Sequence, residues 1–229
     1  MAMSKALRLM AILLMLTLPA CERSSDLVPA STDGECAHCV TGNEKPQASP
    51  KGSYTTDWLT PSERGAALST APFQDQDGRT VGFDDLRGAP VALSFIYTRC
   101  ENERKCPLVA RTMAALQTEL ERANIAPRPR LALITYDPEY DTPKHLRDFG
   151  AEHGLRFTDA VTLLRPEPNR KQRLFEELNV RVNFNAIGVN LHGLQLILLD
   201  KQGRVARTHH TLIWDNDAVL ADLKRLARE

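Results

Sequence analysis

The sequence predicts an α/β domain with a mixed central sheet and helices on both faces. Two near-continuous apolar runs, VALSFIY at 91–97 and LALITY at 131–136, have the composition of strands covered on both sides. Segments with apolar residues at helical spacing alternate with them. The chain then closes on an antiparallel hairpin and a last helix, which makes the sheet mixed rather than purely parallel.

In chain order, the domain is expected to begin near Phe73 and to fill residues 71–229. FQDQDGRTVGFDDLRG has a turn at Asp77-Gly78 and reads as a short hairpin followed by a helical turn. The run at 91–97 is the first central strand. Beyond Pro107, the apolar residues Val109, Met113, Leu116 and Leu120 mark an amphipathic helix. The run at 131–136 is the second central strand. Asp141-Thr142-Pro143 reads as a cap with proline at the first helical position, opening a helix to about Phe149. Residues 167–178 form another helix candidate. LQLILLD, KQG and RVARTHH make a hairpin with Gly203 in the turn, and Asp215 starts a helix with Val219, Leu223 and Leu226 on one face.

The amino terminus reads differently. Lys5 and Arg8 precede an unbroken apolar stretch at 9–18. Ten helical residues span about 15 Å, half a bilayer core, so the pattern is that of a secretory signal rather than a spanning helix. Leu18-Pro19-Ala20-Cys21 resembles a bacterial lipobox, which implies cleavage after residue 20, lipid on Cys21 and a place on the periplasmic side of a bacterial membrane. An ordinary signal peptide or an uncleaved anchor is the competing reading. Residues 21–70 are rich in Ser, Thr, Pro, Gly and charge, without strand or helix period, and read as a flexible tether. The chain has 29 basic and 29 acidic residues, so nothing favours a nucleic-acid partner.

Five cysteines are odd arithmetic for an exported chain, and lipidation of Cys21 leaves two close pairs. Cys36 and Cys39 lie in the tether with His38 between them. They either capture a soft metal, exchange as a disulfide, or close an incidental bridge. They are not a haem attachment site, because Val40 stands where histidine is required. Cys100 and Cys106 bracket five residues at the carboxyl end of the first central strand, where open α/β sheets place their chemistry. With Pro107 at the first helical position and Cys106 as N-cap, residues 101–105 form a loop that lets the two sulfurs meet. A helix N-terminus favours thiolate, and Arg99, Arg104 and Lys105 add to it, while Glu101 and Glu103 oppose it. A mere staple is the bland alternative, but so short a loop constrains little chain entropy. The thiols either exchange electrons or hold a metal.

SFIYTRC, then CP, then YDPEYDTP, then NLHG before LILLDKQGR resemble, in this order, the Sco/SenC family, over about residue 72 to the end. The resemblance implies a thioredoxin-like fold in an exported or membrane-anchored protein that binds copper and assists assembly of the copper centre of cytochrome c oxidase. It implies Cys100, Cys106 and His192 as copper ligands, Asp137 as an acidic neighbour of the site, and a copper-receiving protein such as an oxidase subunit as partner. Two thiolates and an imidazole suit Cu(I), and a structural zinc site would want a fourth ligand. The family commonly has three residues between the cysteines rather than five, which strengthens the alternative of a thiol–disulfide oxidoreductase working without copper. A peroxidase is disfavoured: peroxiredoxins carry proline and threonine seven and three residues before the reactive cysteine, where this chain has Leu93 and Tyr97. A non-catalytic interaction domain on a lipid anchor is the fourth class. His209 and His210 end a strand and read as surface histidines, and His145 and His153 lie on or beside a surface helix.

Overall fold

The computed structural model describes residues 56–69, 72–185, 188–211 and 214–229. Residues 1–20, read above as a signal sequence, Cys21 and the Cys36–His38–Cys39 segment lie outside the described residues. Among the described residues, no helix is long and apolar enough to cross a membrane.

Among the described residues, nine strands and four α-helices follow one another as β1 (Phe73–Asp75), β2 (Thr80–Val81), β3 (Val91–Ile96), α1 (Cys106–Ala123), β4 (Arg130–Thr135), α2 (Pro143–Glu152), β5 (Val161–Pro166), α3 (Lys171–Glu177), β6 (Val182–Asn185), β7 (Gly188–His192), β8 (Leu196–Leu199), β9 (Val205–His209) and α4 (Asn216–Arg228). A 3-10 turn at Phe83–Leu86 follows the first hairpin. Seven strands form one sheet in the order β2-β1-β5-β4-β3-β8-β9, and β6 with β7 makes a separate ribbon. β3, β4 and β5 run parallel, while β1 and β8 flank them antiparallel, so the sheet is mixed as expected.

Both faces are covered. Ala92 and Ile96 of β3 face one core with Val109, Met113, Leu116 and Leu120 of α1, Leu146 and Phe149 of α2, and Val219, Leu223 and Leu226 of α4. Val91, Leu93 and Phe95 face the other core with Phe83, Leu86 and the α3 residues Leu174 and Phe175. Every residue of β3 is buried, which is why its sequence lacks the alternation of a half-exposed strand. α1 ends on Asn124 at φ 46°, a left-handed C-cap that asparagine tolerates. Gly203, at φ +80°, supplies the turn between β8 and β9.

Two expectations need correction, and β5 and the β6–β7 ribbon are additions to the elements expected. The fold begins upstream of residue 71. Thr56 and Leu59 donate backbone hydrogen bonds to the carbonyls of Thr208 and Ala206, Leu68 is 4 % exposed, and Arg64 is buried against Asp200 and Glu229. The polar composition of this stretch hides the fact that Arg64 is paired inward. β5 and the β6–β7 ribbon were not evident from local pattern. Thr162 and Arg165 interrupt β5, whose strand character comes from its place between β4 and β1. His209 is not on the surface: it is 7 % exposed, with Nε2 3.7 Å from Asp222 of α4, the helix that crosses that end of the hairpin.

Candidate functional site

The site lies past the carboxyl ends of the parallel pair β3 and β4. β3 delivers the chain into a loop in which the Cys100 N–H bonds to the Tyr97 carbonyl at 3.0 Å. The five residues between the cysteines form a closed turn. The Asn102 side chain accepts the Arg104 N–H at 3.0 Å, and its carbonyl accepts the Lys105 N–H at 2.9 Å. Arg111 on α1 reaches back to hold both the carboxylate and the carbonyl of Glu103, each at 2.8 Å. The extra loop length is thus folded onto the helix and does not part the cysteines. α1 starts one residue earlier than expected, with Lys105 at the N-cap and Cys106 as first helical residue. Pro107 is then the second, a position where its missing N–H is still no loss.

The two free thiols are unequal. Cys106 is fully buried, whereas Cys100 is partly exposed. The Cys106 thiol donates to the Cys100 sulfur and brings the Cys100 pKa down to about 5. Burial opposes this, and backbone hydrogen bonds at Cys106 and Asn102 and the Lys105 charge add to it. The same hydrogen bond, with burial, pushes the Cys106 thiol far up. One group is therefore a thiolate at neutral pH, and the other is a proton donor to it.

His192, the last residue of β7, packs against Tyr136, itself a neighbour of Cys106: the two rings lie 4.7 Å apart at 35°. Its Nδ1 is buried and has no hydrogen-bond partner. Burial and the Lys105 charge lower its pKa against a backbone hydrogen bond at Gly193, so the imidazole stays neutral, the form that ligates metals. Lys105 thus acts on both Cys100 and His192. Tyr136 bridges the two halves. Its hydroxyl donates to the Gly193 carbonyl at 2.6 Å, and burial followed by the neighbouring Cys106 raises its pKa. Among the described residues, no three His, Cys, Asp or Glu side chains are grouped closely enough to hold a metal ion. The structure brings Cys100 and Cys106 together and leaves His192 outside their direct reach. Tyr136→Phe is expected to cost about 1 kcal/mol of stability and to shift the His192 ring resonances; two-dimensional NMR of the imidazole checks it.

Asp137 does not face the sulfurs through a hydrogen bond. It pairs with Arg99 at 2.6 Å, and that guanidinium lies 4.1 Å over Tyr140 and 5.5 Å from the Tyr97 ring centre. Arg99 is thereby turned to Asp137, and Lys105 is the cation that acts on Cys100. His145 and His153 lie on and at the end of α2, as expected. In the sequence Tyr136 reads as one more strand residue and Asp141 as part of a helix cap. The cap is Thr142, whose side chain accepts the His145 N–H, while Asp141 is buried and bonded to Thr98 and Thr135. Burial raises its pKa against those two hydroxyls.

Comparison with known proteins agrees with this architecture. The SCO1/SenC family model matches residues 61–228. The SCO1 protein homolog of Bacillus subtilis is 39% identical over 85 residues, 37% of this chain and 42% of that protein, so the match spans less than half of the relative's length. A SCO1/SenC family lipoprotein from Bacillus anthracis superposes with a TM-score of 0.63 at 26% identity, over 71% of this chain and 95% of that one. BsSco, described as a member of the Sco family of cytochrome c oxidase assembly proteins with a disulfide switch, gives 0.62 at 26% identity over 76% and 98%. Copper-bound ScoI of Bradyrhizobium japonicum gives 0.58 at 22% identity over 71% and 99%, a likeness of fold alone.

Proposed function

Because the chain belongs to the SCO1/SenC family, we propose that it is an exported copper-binding metallochaperone that assists assembly of the copper centre of cytochrome c oxidase. Copper is cargo in this reading, held by Cys100, Cys106 and His192 and passed to a copper-receiving protein such as an oxidase subunit. Copper-bound relatives of the same fold support it. The carrying observation is the set of donors: a partly exposed thiolate, a buried thiol beside it and next to Tyr136, and, against the Tyr136 ring, a neutral imidazole whose buried Nδ1 lacks a partner. Soft sulfur and borderline nitrogen suit Cu(I). A buried ring nitrogen without a partner costs free energy, which a metal bond would recover. On this reading, binding draws His192 toward the thiols as Cys106 loses its proton. Lipid on Cys21 would tether the protein to the periplasmic side of a membrane, as the lipoprotein relative suggests. Asp137, held by Arg99, shapes the rim of the site rather than ligating.

The asymmetry of the thiols favours a second activity on the same residues. Cys100 has the exposure and low pKa of an attacking thiolate, and Cys106 those of a resolving thiol. Cys100 attacks a partner disulfide to form a mixed disulfide and release one partner thiolate. Cys106 then gives up its proton and attacks the Cys100 sulfur, releasing the second. The partner gains two electrons and this protein ends as the Cys100–Cys106 disulfide. A protein that reduces its target's cysteines before metallating them uses both properties. The segment around Cys36, His38 and Cys39 would serve as an auxiliary copper or disulfide site.

The test is a Cu(I) titration of the reduced chain, with Cys21, Cys36 and Cys39 each replaced by serine, against a chromophoric chelator under nitrogen. One tight equivalent is expected, weakened about a hundredfold in His192→Ala, the size of losing one buried, charge-assisted contact. No competition with the chelator would leave the oxidoreductase reading.

A further inference from the structure

We propose that Asp141 is a positioning residue that ties the carboxyl ends of β3 and β4 together and so holds Cys100 in reach of Cys106. The proposal rests on the reading that these two thiols are a working pair. Asp141 has no exposed surface. Its carboxylate accepts the hydroxyls of Thr98 and Thr135 and, at 3.4 Å, the Thr98 N–H. Thr135 is the last residue of β4, and Thr98 lies two residues past the end of β3 and two before Cys100. The ladder between the strands ends where the Tyr136 N–H meets the Ile96 carbonyl at 2.8 Å. From there outward two links join them, the half-exposed Arg99–Asp137 pair and, beneath it, the fully buried Asp141 carboxylate.

Helix capping does not account for this side chain, because Thr142 already caps α2. Nor does an ion pair. Its hydrogen-bond donors are two hydroxyls and a backbone N–H, and the nearby Arg99 is bound to Asp137. A buried carboxylate without a cation is costly to keep. What it offers over a neutral side chain is acceptor capacity for three donors at once. Those donors come from the two segments whose separation sets the site. One leads to Cys100. The other carries Tyr136, whose ring His192 packs against at a tilt, and Asp137, whose N–H bonds to the Thr135 hydroxyl oxygen at 2.9 Å. With Thr98 fixed, the turn that sends the Cys100 N–H to Tyr97 starts from a set point, and the sulfur is aimed at the head of α1.

The test uses oxidised glutathione, without metal, on the reduced chain carrying serine at 21, 36 and 39. The Cys100 thiolate attacks the glutathione disulfide, forming a mixed disulfide and releasing one glutathione thiolate. Cys106 gives its proton to solvent and attacks the Cys100 sulfur, and the second glutathione leaves. The rate of this closure reads how well the sulfurs are held together. Asp141→Asn and Thr98→Val are expected to slow closure about tenfold, as loss of orientation does, while Thr98→Ser closes at the wild-type rate. Ser94→Ala removes a buried 2.8 Å hydrogen bond to the Gln195 carbonyl from the same β3; it is expected to lower the melting temperature without slowing closure. Wild-type closure rates in Asp141→Asn and Thr98→Val, with only a lowered melting temperature, overturn the proposal. If Asp141→Asn fails to fold, the Thr98 pair decides. Failure of the Cu(I) titration leaves this measurement untouched, whereas a wild-type protein that never closes overturns both the working-pair reading and the proposal.

Discussion

Reaction of the reduced protein, with Cys21, Cys36 and Cys39 replaced by serine, with a small aromatic disulfide is expected to begin at Cys100 alone, at a rate that is level through neutral pH and falls only as the pH drops through about 5. Cys106 is fully buried and carries a raised pKa, so it does not compete for the first step. Cys100→Ser abolishes that step in the folded protein. Cys106→Ala is the informative variant, because it removes the donor most responsible for the low pKa. The Cys100 thiol then moves toward the ordinary value of about 8.5. At neutral pH the loss of thiolate is largely offset, since a more basic thiolate is a better nucleophile with a Brønsted slope of about 0.4–0.5. At pH 5 the offset fails. The thiolate fraction falls roughly a thousandfold, nucleophilicity recovers only about fortyfold, and the net rate drops by up to about fortyfold. A stopped-flow pH profile of the first thiol release measures it. A wild-type midpoint near that of an ordinary thiol would mean that the Cys106–Cys100 hydrogen bond does not govern the pair.

That experiment concerns the part of the site which sequence pattern made most legible. Cys100 falls after a fully apolar strand and Cys106 beside a proline that marks a helix start, and both signals are local. The same locality made α1, α2, α4 and the β8–β9 hairpin readable, because each carries its own period, cap or turn. Other features depend on what the chain meets far away. β5 looks like a mixed stretch until β4 and β1 lie on either side of it. Asp141 stands one residue before the α2 cap, and only the approach of Thr98 from β3 shows that its carboxylate is committed elsewhere. Tyr136 completes a buried strand run, and its hydroxyl acquires meaning when the Gly193 carbonyl arrives beside His192. The roles of Arg99 and Lys105 divide for the same reason. Asp137 claims the first, so the cation acting on the thiolate is the one at the helix start. The resemblance of four ordered motifs named the family, and the family match at residues 61–228 also begins upstream of the start near Phe73 that composition suggested.

The upstream extension carries the other large effect. Arg64→Met is expected to destabilise the protein by about 3 kcal/mol, toward the low end for breaking a buried ion pair from one side. The guanidinium bonds to Asp200 at 3.1 Å and Glu229 at 2.5 Å, and the side chains of Arg64 and Asp200 are each 1 % exposed. Methionine refills much of the volume, so the loss isolates charge from packing. Asp200 is not orphaned, because Arg204 Nε stays at 2.8 Å and the Gln202 and Arg204 N–H groups remain on its carboxylate. That is why the cost is not larger. Urea unfolding measures it, with an unchanged m-value if only stability moves. The pH dependence supplies a second check. Burial alone would raise the Asp200 pKa, but the Arg204 backbone and the Arg64 and Arg204 side chains outweigh it and hold it below the usual carboxylate value. A depressed carboxyl gives its stabilisation above the unfolded pKa and loses it as the pH falls through the lower, folded one. The gap between wild type and Arg64→Met should therefore be widest at neutral pH and shrink on acidification. A gap below about 1 kcal/mol that ignores pH is what an exposed surface pair would give. It would mean that residues 56–69 lie on the hairpin without being locked to it. A wide, acid-sensitive gap makes Arg64 the bolt joining this segment to the β8–β9 turn at Asp200 and to the end of α4 at Glu229.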